Sequence, residues 1–468
     1  MNYLAVDIGA ESGRVMYGDL ADGRLRLEEL HRFPNQPVQL PAGLYWDSFR
    51  LLHEIVEGLT VAGRERKLRV DGIGIDTWGV DFGLLGGDGG LIDCPRHYRD
   101  ARTNGVMERL FRVVPRHEVF EQTGIQFMQI NSLYQLYAMR LEKSRALECA
   151  ERLLFMPDLL NYWLTGVERA EVTIASTSQF YDPRARAFCG AMLERLGISS
   201  PILPELIEPG QLLGPLLPKI AERTGLGPAP VYASAEHDTA SAVVAAPGEG
   251  DDWCYISSGT WSLMGVELPA PVIDARALEL NYTNEAGMAG RTRLLKNIAG
   301  LWILQECRRC WSEAGERHTY QELAQMAEES GPAKALIDPD DFLQPGDMPV
   351  RITAWLRARG LSEPASKGET CRIVLESLAE RYRQVLEGLE SLTGRRIRTI
   401  HIVGGGSKHA LLNRLVAQAT ERTVCAGPVE ATAAGNVLVQ AMGAGVVRNL
   451  EEARSVVRRS FAIEKFEP

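Results

Sequence analysis

The apolar residues near the start of the chain alternate between short runs and glycine-containing breaks. Residues 3–8 are almost entirely apolar, and a second run over residues 14–19 follows a glycine-rich turn. Ala21-Asp22-Gly23 then predicts a hairpin turn before a third strand that begins at Arg24. The chain is therefore expected to open with an antiparallel meander.

Helical and strand periods continue beyond this meander. Residues 47–62, 371–393 and 430–443 carry apolar positions at helical spacing, which predicts three helices. Residues 70–76 form a short apolar run rich in β-branched side chains, which is typical of a buried strand. Residues 398–403 predict another strand, which enters three glycines before a helix from Lys408.

A polar stretch divides the pattern into two similar halves. Residues 245–252 read Ala-Ala-Pro-Gly-Glu-Gly-Asp-Asp, which indicates a domain boundary. A strand over residues 253–257, a turn and a strand over residues 261–266 then repeat the opening layout. Because 468 residues exceed one ordinary core, we predict two domains, residues 1–246 and 247–468, from a duplicated fold.

Composition narrows the class of protein. Hydrophobic residues make up 45% of the chain and charged residues 24%, which are globular values. The net charge of −10 argues against nucleic-acid and membrane partners. No apolar run reaches the roughly 20 residues of a membrane span, and no signal peptide is apparent, so we expect a cytoplasmic protein. Eight scattered cysteines do not form a disulfide scaffold, and Cys307 and Cys310 are expected to pack within a helix.

The first glycine-rich turn is a candidate phosphate site. Gly9 and Gly13 flank a turn between two strands, where backbone N–H groups can point at phosphate oxygens. Asp7 ends the first strand and is placed to bind Mg²⁺ through water, because magnesium needs few protein carboxylates. An ordinary hairpin with a solvent-facing aspartate would give the same pattern.

Two further glycine-containing turns offer similar chemistry in the second half. Ser257-Ser258-Gly259-Thr260 repeats the first turn, and a hairpin is again the alternative. Gly404-Gly405-Gly406 lets a ligand lie against backbone, with Ser407 as the expected cap of the following helix. This string lacks the last glycine of a dinucleotide-binding turn, which disfavours an NAD site.

Asp238 is the candidate general base. It follows an apolar strand and precedes a helix of small residues, so the helix N-terminus favours its carboxylate form. A carboxylate beside a sugar hydroxyl can accept its proton during phosphoryl transfer. An aspartate that only caps the helix is the competing interpretation, and His237 is more often a packed side chain than an acid or base.

With these segments assembled, the chain resembles the FGGY carbohydrate kinases over nearly its whole length. The string from Val6 to Arg14 is similar to the first phosphate motif of that family. Other segments resemble the members that act on L-rhamnulose, and they are Gly74–Phe82, Tyr98–Thr103, His237–Ala242, Ser257–Ser262, Asn297–Trp302 and the three glycines.

The resemblance implies an α/β fold of two ribonuclease-H-like domains, as in actin and hexokinase, with a catalytic cleft between them. It implies a sugar kinase that transfers a phosphoryl group from ATP, with Mg²⁺, to the 1-hydroxyl of L-rhamnulose in L-rhamnose degradation. The expected partners are a ketose and ATP, and the chain is expected to be a monomer or a small homo-oligomer. The N-terminal domain would bind sugar and phosphate, and the C-terminal domain the nucleotide.

The resemblance also implies roles for individual residues. Asp238 matches the proton acceptor, and the sugar-binding positions are Gly79, His237, Asp238, Thr239 and Asn297. The positions implied for ATP are Ala10, Glu11, Ser12, Gly13, Arg14, Thr260, Gln305, Gly404 and Gly405.

Two glutamates depart from the family pattern, and other functions stay open. Glu11 places a carboxylate where some relatives carry serine, which would repel phosphate unless it faces Mg²⁺ or Arg14. Glu236 would raise the pKa of Asp238 if it pointed inward. A kinase for another ketose or polyol, such as L-fuculose or xylulose, is the main alternative. An actin-like ATPase that controls protein binding and an inactive sugar-binding protein are the others.

Overall fold

The computed structural model describes residues 1–468, which form two compact units. The first unit contains Met1–Ala245, Glu267–Leu294 and Ala431–Ser460, and the second contains Ala246–Val266, Leu295–Glu430 and Phe461–Pro468. The chain thus first leaves the first unit after Ala245, and two later segments return to it. The mixed α/β fold in two units agrees with the expected fold class.

Strands and helices are mixed along the chain, in places as runs of consecutive strands or consecutive helices. The strands, in chain order, are Asn2–Ile8, Ser12–Ala21, Arg24–Pro34, Val38–Leu40, Gly43–Tyr45, Gly72–Thr77, Phe82–Leu85, Arg152–Phe155, Arg169–Glu171, Tyr181–Asp182, Ala187–Phe188, Glu205–Ile207, Leu212–Pro215, Pro230–Tyr232, Trp253–Ser258, Ser262–Leu268, Thr283–Ala286, Thr292–Ile298, Thr399–Val403, Thr423–Ala426 and Glu464–Phe466.

The α-helices range from one turn to twenty-seven residues. In chain order they are Ser48–Thr60, Val106–Leu110, Arg116–Thr123, Ser132–Leu141, Arg145–Glu148, Met156–Thr165, Val172–Ala175, Gly190–Arg195, Pro218–Thr224, Asp238–Val244, Ala275–Leu280, Trp302–Glu313, Tyr320–Glu329, Met348–Ala358, Lys367–Thr393, Ala410–Thr420, Ala431–Gly443 and Leu450–Ser460. No helix combines the length and the apolar character needed to cross a membrane.

The first unit is built on a six-stranded mixed sheet. Asn2–Ile8 pairs antiparallel with Ser12–Ala21, which pairs antiparallel with Arg24–Pro34. On its other side Asn2–Ile8 pairs in parallel with Gly72–Thr77, and Pro230–Tyr232 follows in parallel. The predicted opening meander is confirmed. The apolar runs of the two central strands are explained by burial, because side chains on both faces are covered.

The second unit repeats this arrangement. Trp253–Ser258 pairs antiparallel with Ser262–Leu268 and in parallel with Thr399–Val403. Thr423–Ala426 continues the sheet in parallel, and Glu464–Phe466 closes it antiparallel. The predicted repetition of a strand, a glycine turn and a strand is confirmed, although the two halves share little residue identity in these segments.

A helix from late in the chain packs against the sheet of the first unit. Ala431–Gly443 carries Gln440, whose side-chain amide donates to the Leu4 carbonyl at 3.0 Å. Along the same helix, Gly435 lies so close to Asp238–Val244 that a Cβ there would collide with the Ser241 carbonyl oxygen. The glycine is therefore required by the close approach of two helix backbones.

We predict that Gly435→Ala lowers the free energy of unfolding by about 1–3 kcal/mol, because the added methyl group must force these two backbones apart. Urea unfolding followed by circular dichroism measures the loss. Gly86→Ala is the control, since its Cβ would meet nothing closer than Asp88 Oδ1 at 3.4 Å. Equal stability of both variants would show that the helices do not pack this closely.

Candidate active site

Two aspartates lie side by side at one end of the first unit's sheet. Asp7 and Asp76 are paired residues in the parallel register of Asn2–Ile8 and Gly72–Thr77. Registered residues of adjacent strands direct their side chains to the same face. The two carboxylates are therefore neighbours, and each needs its own compensation for a buried negative charge.

Asp7 is compensated by Arg14. The two residues are also paired in register, across the antiparallel hairpin, and an Arg14 guanidinium nitrogen lies 2.6 Å from Asp7 Oδ2. Only 9% of the Asp7 side chain and 18% of the Arg14 side chain are exposed. Asp7 was predicted to bind metal and Arg14 to bind nucleotide, and the structure brings these two predicted residues into direct contact.

Asp76 is compensated differently, by an amide. The Asn436 side-chain Nδ2 donates to Asp76 Oδ2 at 2.6 Å, and its side-chain Oδ1 accepts from Gln440 Nε2 at 2.7 Å. Burial raises the pKa of Asp76 well above its usual range, and the nearby charges of Asp7 and Asp238 raise it further. The hydrogen bond from Asn436 lowers the pKa of Asp76 and partly offsets these effects.

Asp238 is the most exposed of the three carboxyl groups. It is the first residue of Asp238–Val244, with His237 at the N-cap position, so the competing interpretation of Asp238 as the helix cap is wrong. Its Oδ1 accepts from the Thr239 N–H at 2.5 Å, and 29% of its side chain is exposed. Burial raises the pKa of Asp238, His237 lowers it and Asp7 raises it, with a net rise.

Glu236 does not act on Asp238 in the way that the sequence suggested. Its side chain is buried and accepts from Asn161 Nδ2 at 2.8 Å, and the carboxyl groups that act on it are those of Asp158 and Glu171. The like-charge neighbour that raises the pKa of Asp238 is Asp7 instead.

His237 is held by a buried ion pair. Its Nδ1 lies 3.2 Å from Glu285 Oε2 and 3.2 Å from an Arg293 guanidinium nitrogen, and these two partners lie 3.1 Å apart. Its Nε2 lies 3.5 Å from Asp238 Oδ1. Burial raises the pKa of Glu285, but Arg293 and His237 lower it below its usual range. The ring of His237 is thereby fixed between an ion pair and the candidate base.

The first phosphate turn is fixed by Asn35. The backbone N–H of Asn35 donates to the Glu11 carbonyl at 2.9 Å, and its side-chain amide donates to the Gly9 carbonyl at 2.9 Å. The side chain of Glu11 is exposed, whereas Gly13 is buried against the Phe33 ring, which leaves no room for a Cβ. The predicted residues Ala10 and Ser12 belong to this turn, which is closed by a hydrogen bond from the Gly9 N–H to the Ser12 carbonyl at 2.9 Å.

Gly79 lies in a tight loop after the strand that carries Asp76. A Cβ at Gly79 would lie 3.1 Å from the Thr177 methyl group, so the loop and Thr177 are in close contact. The adjacent Val80 has a left-handed φ of 70° and donates its N–H to Thr177 Oγ1 at 3.1 Å. Thr77, at the start of this loop, pairs with His237 through an isolated parallel bridge.

In the second unit, two loops converge on the turn between its first two strands. The turn residue Thr260 accepts from Trp302 N at 3.0 Å, and Gly300 has a φ of 56° beside the Trp261 backbone. Gly404, with a φ of 84°, would place a Cβ 3.1 Å from the Ser258 carbonyl oxygen. Close backbone contact thus requires glycine at both positions.

The remaining predicted residues of this unit surround the same loops. A Cβ at Gly405 would meet nothing within 4 Å, so its backbone is open to a ligand. Gln305 lies in the first turns of Trp302–Glu313, and its side-chain carbonyl oxygen is buried without a hydrogen-bond partner. Asn297 lies in Thr292–Ile298, three residues before Gly300.

The helix that follows the three glycines begins later than predicted. It starts at Ala410 and not at Lys408, because residues 405–408 form a 3₁₀ turn. Ser407 donates its hydroxyl proton to the Gly404 carbonyl at 2.7 Å and does not cap the helix. His409 takes that place, with Nδ1 accepting from Leu412 N at 3.3 Å.

Several residues of this site were not identified from the sequence. Asp76 carries a detectable signal, because it is a charged residue in an otherwise apolar strand. Asn35, Asn436, Glu285 and Arg293 carry none, since each meets its partner only through the tertiary fold.

Comparison with known proteins defines the family to which this chain belongs. The N-terminal domain of the FGGY family of carbohydrate kinases matches residues 2–245, and the C-terminal domain of that family matches residues 254–444. Together these matches cover most of the chain. The chain therefore belongs to the FGGY family of carbohydrate kinases and is a phosphotransferase.

Curated relatives narrow the comparison within that family. A rhamnulokinase from Bacteroides thetaiotaomicron is 45% identical over 469 residues, which cover 100% of this chain and 96% of the relative. A rhamnulokinase from Enterococcus faecalis is 41% identical over 470 residues, which cover 99% of this chain and 94% of the relative. A rhamnulokinase from Bacillus subtilis is 38% identical over 475 residues, with 100% and 96% covered.

Solved structures share the fold at much lower identity. The ligand-bound xylulose kinase from Lactobacillus acidophilus has a TM-score of 0.83 and 16% identity, and the match covers 100% of this chain and 94% of that one. Plasmodium falciparum glycerol kinase with ADP has a TM-score of 0.79 and 14% identity, with 99% and 93% covered. At such identities the likeness establishes the fold alone.

We predict that Arg293→Met lowers the free energy of unfolding by about 3–5 kcal/mol, because it removes the guanidinium that compensates the buried charge of Glu285. Glu285→Gln combined with Arg293→Met should be less destabilising than the sum of the two single changes, by more than about 1 kcal/mol. Urea denaturation of the four proteins completes this cycle.

The control is Arg276→Met, which removes an exposed partner of Glu279 from a contact of 2.7 Å. It should change stability by less than about 1 kcal/mol, because exposed ion pairs contribute little. Additive effects of Glu285→Gln and Arg293→Met would contradict the coupling of the buried pair.

Proposed function

We propose that this chain transfers the γ-phosphoryl group of ATP to the 1-hydroxyl of L-rhamnulose and forms L-rhamnulose 1-phosphate and ADP. The full-length similarity to curated rhamnulokinases supports the choice of sugar. The family supports ATP as the phosphoryl donor. The reaction would serve the degradation of L-rhamnose.

One observation carries the assignment of the base. Of the three neighbouring carboxyl groups, Asp7 is paired with Arg14, and Asp76 is fully buried against an amide. Asp238 is the one with a substantial exposed surface, and its raised pKa makes it a stronger base than an ordinary aspartate. In the proposed step, Asp238 accepts the 1-hydroxyl proton as the sugar oxygen bonds to phosphorus and the bond to the ADP oxygen breaks.

The neighbours of Asp238 have supporting roles in this proposal. His237 lies against Asp238 and is held by its ion pair, so it can orient a sugar hydroxyl beside the base. Thr239 holds one carboxylate oxygen of Asp238 through its N–H. We assign Gly79 and Asn297 to the sugar as well, on the family resemblance.

Backbone groups and one carboxylate would bind the nucleotide and its metal. We assign the turn from Ala10 to Arg14, Thr260, Gln305, Gly404 and Gly405 to ATP. The open backbone at Gly405 fits that role. Asp7 fits a Mg²⁺ ion bound through water, which would neutralise phosphate charge, because magnesium takes few protein carboxylates and keeps several waters. A cytoplasmic location and a monomer or small homo-oligomer stay predictions.

A sugar panel tests the proposed substrate. ADP release should be slow with ATP alone and fastest with L-rhamnulose, with kcat/KM at least about 10-fold above that of L-fuculose, xylulose or glycerol. Phosphorus NMR of the product should show coupling to two protons, as expected for a phosphate on the C1 methylene. A higher kcat/KM with another sugar, or a phosphate on another carbon, would contradict the proposal.

A further inference from the structure

Glu171 is a fully buried carboxylate that the proposed reaction does not use. It ends Arg169–Glu171, and its two oxygens accept four hydrogen bonds. Oε1 accepts from Thr173 N at 2.9 Å, and Oε2 accepts from Thr173 Oγ1 at 2.5 Å, Ile174 N at 3.1 Å and Glu236 N at 3.1 Å. Every partner is a donor, so the site requires an acceptor at both oxygens.

Two of these contacts reach the segment that carries the proposed base. Glu171 accepts directly from the N–H of Glu236. The N–H of His237 donates to Thr173 Oγ1 at 3.2 Å, and the Thr173 hydroxyl proton is in turn donated to Glu171. Consecutive backbone N–H groups, immediately before Asp238, are thus fixed by one carboxylate.

The opposite side of the segment is fixed by the central sheet. The Glu236 carbonyl accepts from Thr77 N at 2.9 Å, which ties it to the end of the strand that carries Asp76. The segment is therefore held between Glu171 on one side and the sheet on the other. A shift of the Glu171 contacts would move His237 and Asp238 relative to Asp7 and Asp76, whose strands are fixed.

We propose that Glu171 is the positioning residue of this kinase, which sets the place of His237 and Asp238 through the N–H groups of Glu236 and His237. The inference rests on the proposed role of Asp238. Glu171 does not touch the reacting atoms, and it acts through hydrogen bonds that an acceptor alone can make.

The neighbouring carboxyl groups of Asp158 and Glu236 allow a comparison with Glu171. Asp158 accepts from Glu171 N at 3.0 Å and Phe155 N at 3.2 Å, so it also acts as an acceptor. Glu236 lies against Asp158, and burial raises its pKa well above the usual range, with the charges of Asp158 and Glu171 adding to the rise. Glu236 accepts through Oε1 from Asn161 Nδ2 at 2.8 Å. Glutamine can keep that acceptor at Glu236, but at Glu171, where both oxygens accept, it brings an NH₂ group towards a donor.

The experiment compares Glu171→Gln with Glu236→Gln, which are the same chemical change in adjacent side chains. Glu171→Gln should lower kcat for L-rhamnulose by about 10-fold to 100-fold through misplacement of the base, with little change in the KM for ATP. Glu236→Gln should have the smaller effect on kcat. Glu54→Gln is the matched control at a buried, ion-paired glutamate elsewhere in the unit, and it should leave kcat unchanged.

Hydrogen exchange separates positioning from the sugar assignment, because it is measured without sugar or ATP. Glu171→Gln should speed exchange of the Glu236 and His237 amides, while exchange in the sheet stays as in the parent protein. If Glu171→Gln does not fold, Thr173→Val removes only the hydroxyl and should speed exchange at His237 and lower kcat. A parent enzyme inactive on L-rhamnulose would overturn the proposed function but not the exchange result.

Two results would overturn the positioning role. One is unchanged exchange at Glu236 and His237 in Glu171→Gln or, where that variant does not fold, at His237 in Thr173→Val. The other is an equal loss of kcat in Glu171→Gln and Glu236→Gln, which would mean that the carboxyl groups only stabilise the fold.

Discussion

The parallel pairing of Asn2–Ile8 with Gly72–Thr77 is the constraint on which the rest of the site depends. Its register sets Asp7 beside Asp76 at one end of the two central strands, whose side chains are buried on both faces. Two neighbouring carboxylates in such a place repel each other and have lost most of their hydration. The surrounding structure must therefore supply a cation or a hydrogen-bond donor for each of them.

The chain meets this demand with groups from distant parts of its sequence. Arg14, from the second strand, supplies a cation for Asp7. Asn436 supplies an amide for Asp76 from a helix near the other end of the chain, and Gln440 holds that helix to the first strand. With these two carboxyl groups compensated, Asp238 is left as the exposed one, with a raised pKa. The strand register thus creates the buried pair, and the charge of Asp7 in that pair contributes to the raised pKa of Asp238.

The sequence predicted the parts of this arrangement that are encoded locally. The opening meander, the repeated strand–turn–strand layout and the segment around Asp238 are visible in apolar periods and glycine positions. Asp76 and Asn436 meet across 360 residues of sequence, and no local pattern reports such a contact. The start of a helix at Ala410 was not predicted. The sequence indicated Ser407 as the cap, but residues 405–408 form a 3₁₀ turn and the His409 ring caps the helix.

The most direct test of the central claim, that Asp238 is the base, is the substitution Asp238→Asn. Asp238→Asn keeps the shape of the side chain but removes its capacity to accept a proton, so kcat for L-rhamnulose should fall by about 10²-fold to 10⁴-fold. Calorimetric titration should still show binding of ATP and of the sugar, and thermal unfolding should show an intact fold. Turnover close to that of the parent enzyme would contradict the account, because the proton would then have another acceptor.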